Sequence, residues 1–164
     1  MPESQNEKFH EMLCDFNTAM LVTHISPQRM HARPMAIAKI EENCDLWFLS
    51  AEHTLKVDEV RADPRVLVIC QKDRSNYLSL SGTALAVHDR TELDRLWSEP
   101  FKVWFPKGKD DPNICLIRVE VERGEYWDNS GINKARYLFE AVKSYVTGTT
   151  PKIVEGEQHG KVTF

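Results

Sequence analysis

The chain has 164 residues, 41% of them hydrophobic and 28% charged, which bounds it to one ordinary globular domain with a single core. A formal net charge of −4 excludes a nucleic-acid binder that works through bulk positive charge. No apolar run approaches the roughly 20 residues of a membrane-spanning helix, so no membrane partner is expected.

Residues 4–17 read as a helix. Ser4 and Glu7 form a capping box, and Phe9, Met12, Leu13 and Phe16 recur at helical spacing. Thr18 to Ile25 reads as a strand, Ser26 to Arg29 as a turn, and Met30 to Ile40 as the returning strand. Alternation puts His31, Arg33, Met35, Ile37 and Lys39 on one face of that strand and small residues on the other. Pro34 has no N–H to give a ladder, so it marks an edge, a bulge or a meeting of ligand and backbone. Leu46 to Leu49 is an apolar strand that breaks at Ser50 to His53, and a short helix follows from Thr54 to about Ala62. Arg65 to Cys70 is continuous apolar sequence and suggests a strand covered on both faces. Tyr77 to Val87 alternates, with Gly82 at a bulge or close contact. Thr91 caps a third helix through Trp97, and Asn113 to Trp127 is a long strand. Lys134 to Val146 is an amphipathic helix.

Between them, Glu99 to Pro112 forms an aromatic loop that packs over something, its own core in the plainest reading. This order suggests a mainly β (α+β) fold, a small antiparallel barrel with peripheral helices. The barrel domain spans 1–148, and the polar segment 149–164 reads as a flexible tail.

The four cysteines are scattered with no C-x-x-C, as expected for reduced thiols in a cytoplasmic protein. The six histidines show no H-x-x-x-H and no pairing with cysteine, so spacing points to no metal site. The start, MPESQNEKFHEML, lacks the basic and apolar regions of a signal peptide. Ser50 and His53 have no carboxylate that clearly orients them as a hydrolytic pair.

Thr54 suits an N-cap, and Lys56 then sits at the positive end of the helix dipole. Taken alone, Ser50 to Lys56 is a plain capped helix. If the strands on either side pair, Arg33 joins it, and two cations with two hydroxyls can hold a phosphate dianion.

The ordered set RPMAIAK, LWFLSAEHTLKVDEV, ADPRVLVIC, SGTALAV, VWFPKGKDDPNICLIRV and GEYWD resembles the general stress protein branch of the pyridoxamine-phosphate-oxidase-like FMN-binding split-barrel family. The resemblance runs from about Phe9 to Tyr145. It implies a six-stranded antiparallel split β-barrel and a cytoplasmic homodimer with FMN at the interface. By that resemblance Arg33, Thr54 and Lys56 hold the phosphate, Pro34 and Met35 run beside the ring, and Leu49 and Ser50 sit near the ring and ribityl chain. Ser81, Gly82, Trp104 and Trp127 approach from the partner subunit. The function implied is hydride or electron transfer through FMN, with NAD(P)H or a small acceptor as redox partner. The alternatives are a flavin sensor module, an FMN reductase, or a haem or deazaflavin binder; haem draws attention to His24, His31 and His88. After Trp127 the substrate-binding arginine and histidine of the true oxidases are not visible, so vitamin B6 oxidation is not expected.

Overall fold

Six strands close into a ring in the computed structural model, which describes residues 4–72, 74–150, 152 and 158–164. They are β1 (Thr18–Ser26), β2 (Arg29–Ile40), β3 (Leu46–Ala51), β4 (Arg65–Lys72), β5 (Asn76–Val87) and β6 (Ile114–Asp128). Neighbours run β3-β2-β1-β4-β5-β6, all antiparallel, and β6 pairs back onto β3. The expected six-stranded antiparallel barrel is present. A further strand, β7 (His159–Thr163), adds to it outside the ring, in the segment whose sequence reads as a flexible tail. Closure leaves little open edge that would template pairing with other chains: the first half of β2 and the outer side of β7. β6 accommodates three partners because it is 15 residues long: β3 takes Ile114–Val119, β7 takes Arg123–Trp127, and β5 runs along most of its length.

Period-2 alternation fills the ring. Leu21, Met35, Phe48, Val68, Leu80, Ile117 and Val119 point inward and are buried. Burial of a side chain of this size stabilises by about 1.5–3 kcal/mol. Helix α1 (Gln5–Cys14) adds Phe9 and Leu13, and its capping box is formed: Glu7 N–H donates to Ser4 Oγ at 3.2 Å and Ser4 N–H to Glu7 Oε2 at 2.7 Å. A second apolar cluster joins Trp47, Leu49 and Leu116 to helix α3 (Arg90–Leu96) and to Phe101 and Phe105 of the aromatic loop. The loop therefore covers core, as read from sequence.

Two expectations are corrected. The cap of α3 is Asp89, whose carboxylate accepts from Glu92 N–H at 3.1 Å, so the helix begins before Thr91. β4 is covered on one face only: Val66, Val68 and Cys70 are buried, while Ile69 is 39% exposed. Its outward residues continue across the sheet in register, Pro34–Met20–Ile69–Ser79 in one row and Ala32–Val22–Leu67–Ser81 in the next. The first row is open and mostly apolar, which is why the sequence of β4 looks doubly buried. Helix α4 (Gly131–Thr147) also leaves Leu138, Phe139, Val142 and Tyr145 exposed. Among the described residues, no helix is long and apolar enough to cross a membrane.

Candidate functional site

β2 and β3 pair only over Ile37–Ile40 and Leu46–Phe48. Beyond that point they part: the first half of β2 keeps β1 as its partner, and the end of β3 stays on β6. Pro34 thus sits where β2 has a free side, which its missing N–H requires. A cavity of about 450 Å³ opens in the gap, lined by Arg33–Ala36 of β2 and Leu49–Ala51 of β3. Helix α2 (Leu55–Ala62) and its cap add Thr54 and Lys56, and the aromatic loop adds Phe101, Trp104 and Phe105.

The cavity has two chemical ends. Met35, Leu49, Phe101 and Phe105 make an apolar wall, with Trp104 at its exposed rim. The polar end holds a linked set. Lys56 Nζ donates to Ser50 Oγ at 3.3 Å, Ser50 Oγ lies 3.1 Å from Thr54 Oγ1, and Thr54 donates to the Ala51 carbonyl at 2.9 Å. Thr54 is the N-cap residue, but its hydroxyl makes no capping bond, contrary to the reading of the sequence. The turn takes that hydroxyl instead. The first-turn N–H groups of α2 are therefore not met by the cap side chain, which favours an anion there.

Arg33 reaches the polar end already engaged. Its guanidinium donates to Glu59 Oε2 at 2.6 Å and to Thr23 Oγ1 at 2.5 Å, and Thr23 donates to the same carboxylate at 2.6 Å. Burial, and then the neighbouring Arg33 charge, hold the Lys56 ammonium below its ordinary pKa. A bound dianion would relieve both penalties. Burial alone would raise Glu59, but hydrogen bonds from Thr23 and Arg33 outweigh it and keep the carboxyl below its ordinary 4.5.

A depressed acid stabilises the fold above its unfolded pKa, and that contribution goes as pH falls through the folded value. Glu59→Gln is therefore expected to destabilise the protein near pH 7, with the cost shrinking below about pH 4. Urea unfolding of both proteins at the two pH values checks this; an unchanged gap would contradict it.

Of the residues singled out in sequence, Arg33, Pro34, Met35, Leu49, Ser50, Thr54, Lys56 and Trp104 all line this one cavity. Trp104, expected from a partner subunit, comes from the same chain. Ser81, Gly82 and Trp127 lie outside the lining. Ser81 is on the open outer face, Gly82 is at a β5–β6 bulge, and Trp127 stacks on His159 with ring centroids 5.4 Å apart. No histidine is among the lining residues. Glu59 was missed; its one signal was its place three residues after Lys56, a turn further along the same helix.

A family profile described as "Pyridoxamine 5'-phosphate oxidase like" matches residues 4–152. General stress protein 26 of Bacillus subtilis (strain 168) is 26% identical over 121 residues, 71% of this chain and 83% of that protein. A crystal structure named for general stress protein 26, from Jannaschia sp. CCS1, superposes with a TM-score of 0.71 at 29% identity, covering 96% of both chains. The general stress FMN/FAD binding protein of Xanthomonas citri superposes with a TM-score of 0.66 at 28% identity, covering 77% of this chain and 89% of that one.

Proposed function

The chain belongs to the pyridoxamine 5'-phosphate oxidase-like family, and from that premise we propose that it is a flavoprotein that binds FMN in the cavity between β2 and β3. One observation carries the reading: two cations and two hydroxyls converge at one end of a cavity whose other wall is apolar and aromatic. That is the polarity of FMN, a phosphate joined through a ribityl chain to a flat ring. The volume, about 450 Å³, is in the range of small-molecule sites. The relative named as an FMN/FAD binding protein supports the same ligand.

Lys56, Thr54 and Ser50 would hold the phosphate in this reading, with Arg33, bonded to Glu59 and Thr23, as the second cation at that end. Met35 and Leu49 face the ring, and Pro34 offers backbone without a donor beside it. Bound flavin supplies hydride or electron transfer; the protein supplies position and a dry wall. The residues at the cavity suggest no acid or base for vitamin B6 oxidation. Two copies would pair through the open Met20, Pro34 and Ile69 face, which also carries Ser81, with exposed α4 contributing; this puts the cavity at the interface. Four cysteines free of disulfides fit a cytoplasmic setting.

The test is to mix the purified, flavin-loaded protein anaerobically with NADH or NADPH. Bleaching of the flavin bands at a catalytically useful rate establishes a nicotinamide-dependent reductase. A yellow protein that does not bleach is a flavin-binding module, or takes electrons from another donor. A protein that takes up no FMN contradicts the proposal.

A further inference from the structure

Outside the cavity, three chain segments bring one carboxylate, one imidazole and one thiol together. Glu52 follows β3, His88 follows β5, and Cys115 lies near the start of β6. The β-ladder aligns them: β3 pairs Ala51 with Ile114, and β5 pairs Val87 with Leu116. The turn residue Glu52 is fixed by its own N–H, which donates to the Asn113 carbonyl at 2.7 Å. One ligand-type atom from each side chain lies within 4.8 Å of the other two. None of the three lines the β2–β3 cavity.

Two features distinguish this group from an ordinary ion pair. His88 Nε2 is 2.6 Å from Glu52 Oε2, yet that oxygen is buried and has no partner in hydrogen-bond geometry. A carboxylate oxygen shielded from water and left without an aligned donor is costly. The other oxygen, Oε1, is held at 2.6 Å by Arg61, which fixes the carboxylate and aims Oε2 toward the imidazole and thiol. The His88 side chain is half exposed, so the cluster meets solvent on the imidazole side, while the Cys115 thiol is buried.

We propose that Glu52, His88 and Cys115 form a binding site for a zinc ion, with the fourth coordination position left to solvent on the His88 side. The donor set is one sulfur, one nitrogen and one oxygen. Zinc takes all three, and three protein ligands with an open position is a common arrangement for it. Donors around one tetrahedral zinc stand on the order of 3.5 Å apart, so the set closes onto the ion with side-chain shifts of about 1 Å. Binding takes the proton from the Cys115 thiol to solvent. The thiolate and Glu52 then balance the two charges of the ion, and Arg61 remains a positioning residue on the outer oxygen.

The experiment uses the untagged full chain with reduced thiols and cobalt(II), a spectroscopic stand-in for zinc. The expected result is one equivalent of cobalt with a thiolate-to-metal charge-transfer band, displaced by zinc. Cys115→Ser removes the band, and His88→Ala, at a half-exposed side chain that leaves the fold intact, weakens cobalt binding at least tenfold. Cys14→Ser is the control, because Cys14 Sγ lies 3.7 Å from His10 Nε2 on α1 and offers an alternative thiol. A band that is absent in the parent protein, survives Cys115→Ser or disappears in Cys14→Ser, or a cobalt affinity that His88→Ala leaves unchanged, overturns the proposal.

Discussion

Replacing Arg33 and Lys56 by alanine together is expected to weaken FMN binding between a hundredfold and ten-thousandfold. Each side chain offers the phosphate a charge-assisted hydrogen bond worth about 1.5–3 kcal/mol, and about 1.4 kcal/mol is a factor of ten in affinity. Lys56 contributes more than contact. Its ammonium is partly desolvated beside Arg33 in the free protein, and a dianion relieves that strain on its charge.

Arg33 needs a companion change, because truncating it leaves the shielded Glu59 carboxylate without its cation. The triple variant Arg33→Ala, Lys56→Ala, Glu59→Gln removes the clamp without leaving that charge bare. It should unfold cooperatively near the parent's midpoint, so any loss of FMN is a loss of recognition. The single change Glu59→Gln should act the other way and tighten FMN, since Glu59 competes with the phosphate for Arg33. A triple variant that holds FMN as tightly as the parent would show that the phosphate sits elsewhere.

Gly82→Ala is expected to cost about 3 kcal/mol or more of folding stability, at the upper end for overpacking. The register between β5 and β6 slips between Ser81 and Gly82, so Gly82 sits at a bulge against the partner backbone. A Cβ built there lies 1.9 Å from the Glu120 carbonyl oxygen and 3.1 Å from the Val121 Cα. Both contacts are backbone, so no side-chain rotation relieves them. The strand must shift, and β5 is paired with β6 from Asn76 to Val87. Gly124 makes an instructive contrast: its Cβ would meet the Phe9 ring at 2.4 Å, a side chain that can move at the expense of the α1 packing. Urea unfolding of both alanine variants checks the order. A Gly82→Ala protein within about 0.5 kcal/mol of the parent would contradict the bulge account.

Much of the barrel could be read from the chain, because strand signals are local. Alternation along Tyr77–Val87 and the small residues of β2 show directly in the sequence, and so does the Ser4–Glu7 box. The cavity was legible in part, since Arg33–Met35 lie on β2 and Leu49–Lys56 run from the end of β3 into α2; that the two strands part there and open the cavity was not. What escaped has a physical reason in each case. β7 is five residues long and gains its stability from pairing with β6, so nothing in its own composition marks it. Thr54 has the identity of a capping residue, but the turn carbonyl of Ala51 wins its hydroxyl. The outward residues Leu67 and Ile69 look like core because an open apolar face and a covered one have the same composition. Glu52, His88 and Cys115 come from three separate segments, so no spacing rule could join them before the register of β3, β5 and β6 was known.

The most direct test of the central claim, that the polar end of the β2–β3 cavity is a phosphate clamp for flavin, is a titration of the flavin-free parent protein with FMN and with riboflavin. The two ligands share the ring and ribityl chain and differ only in the phosphate. The account predicts binding of FMN at one per chain, with riboflavin at least a hundredfold weaker. Equal affinities for the two ligands, or no binding of FMN, would contradict it.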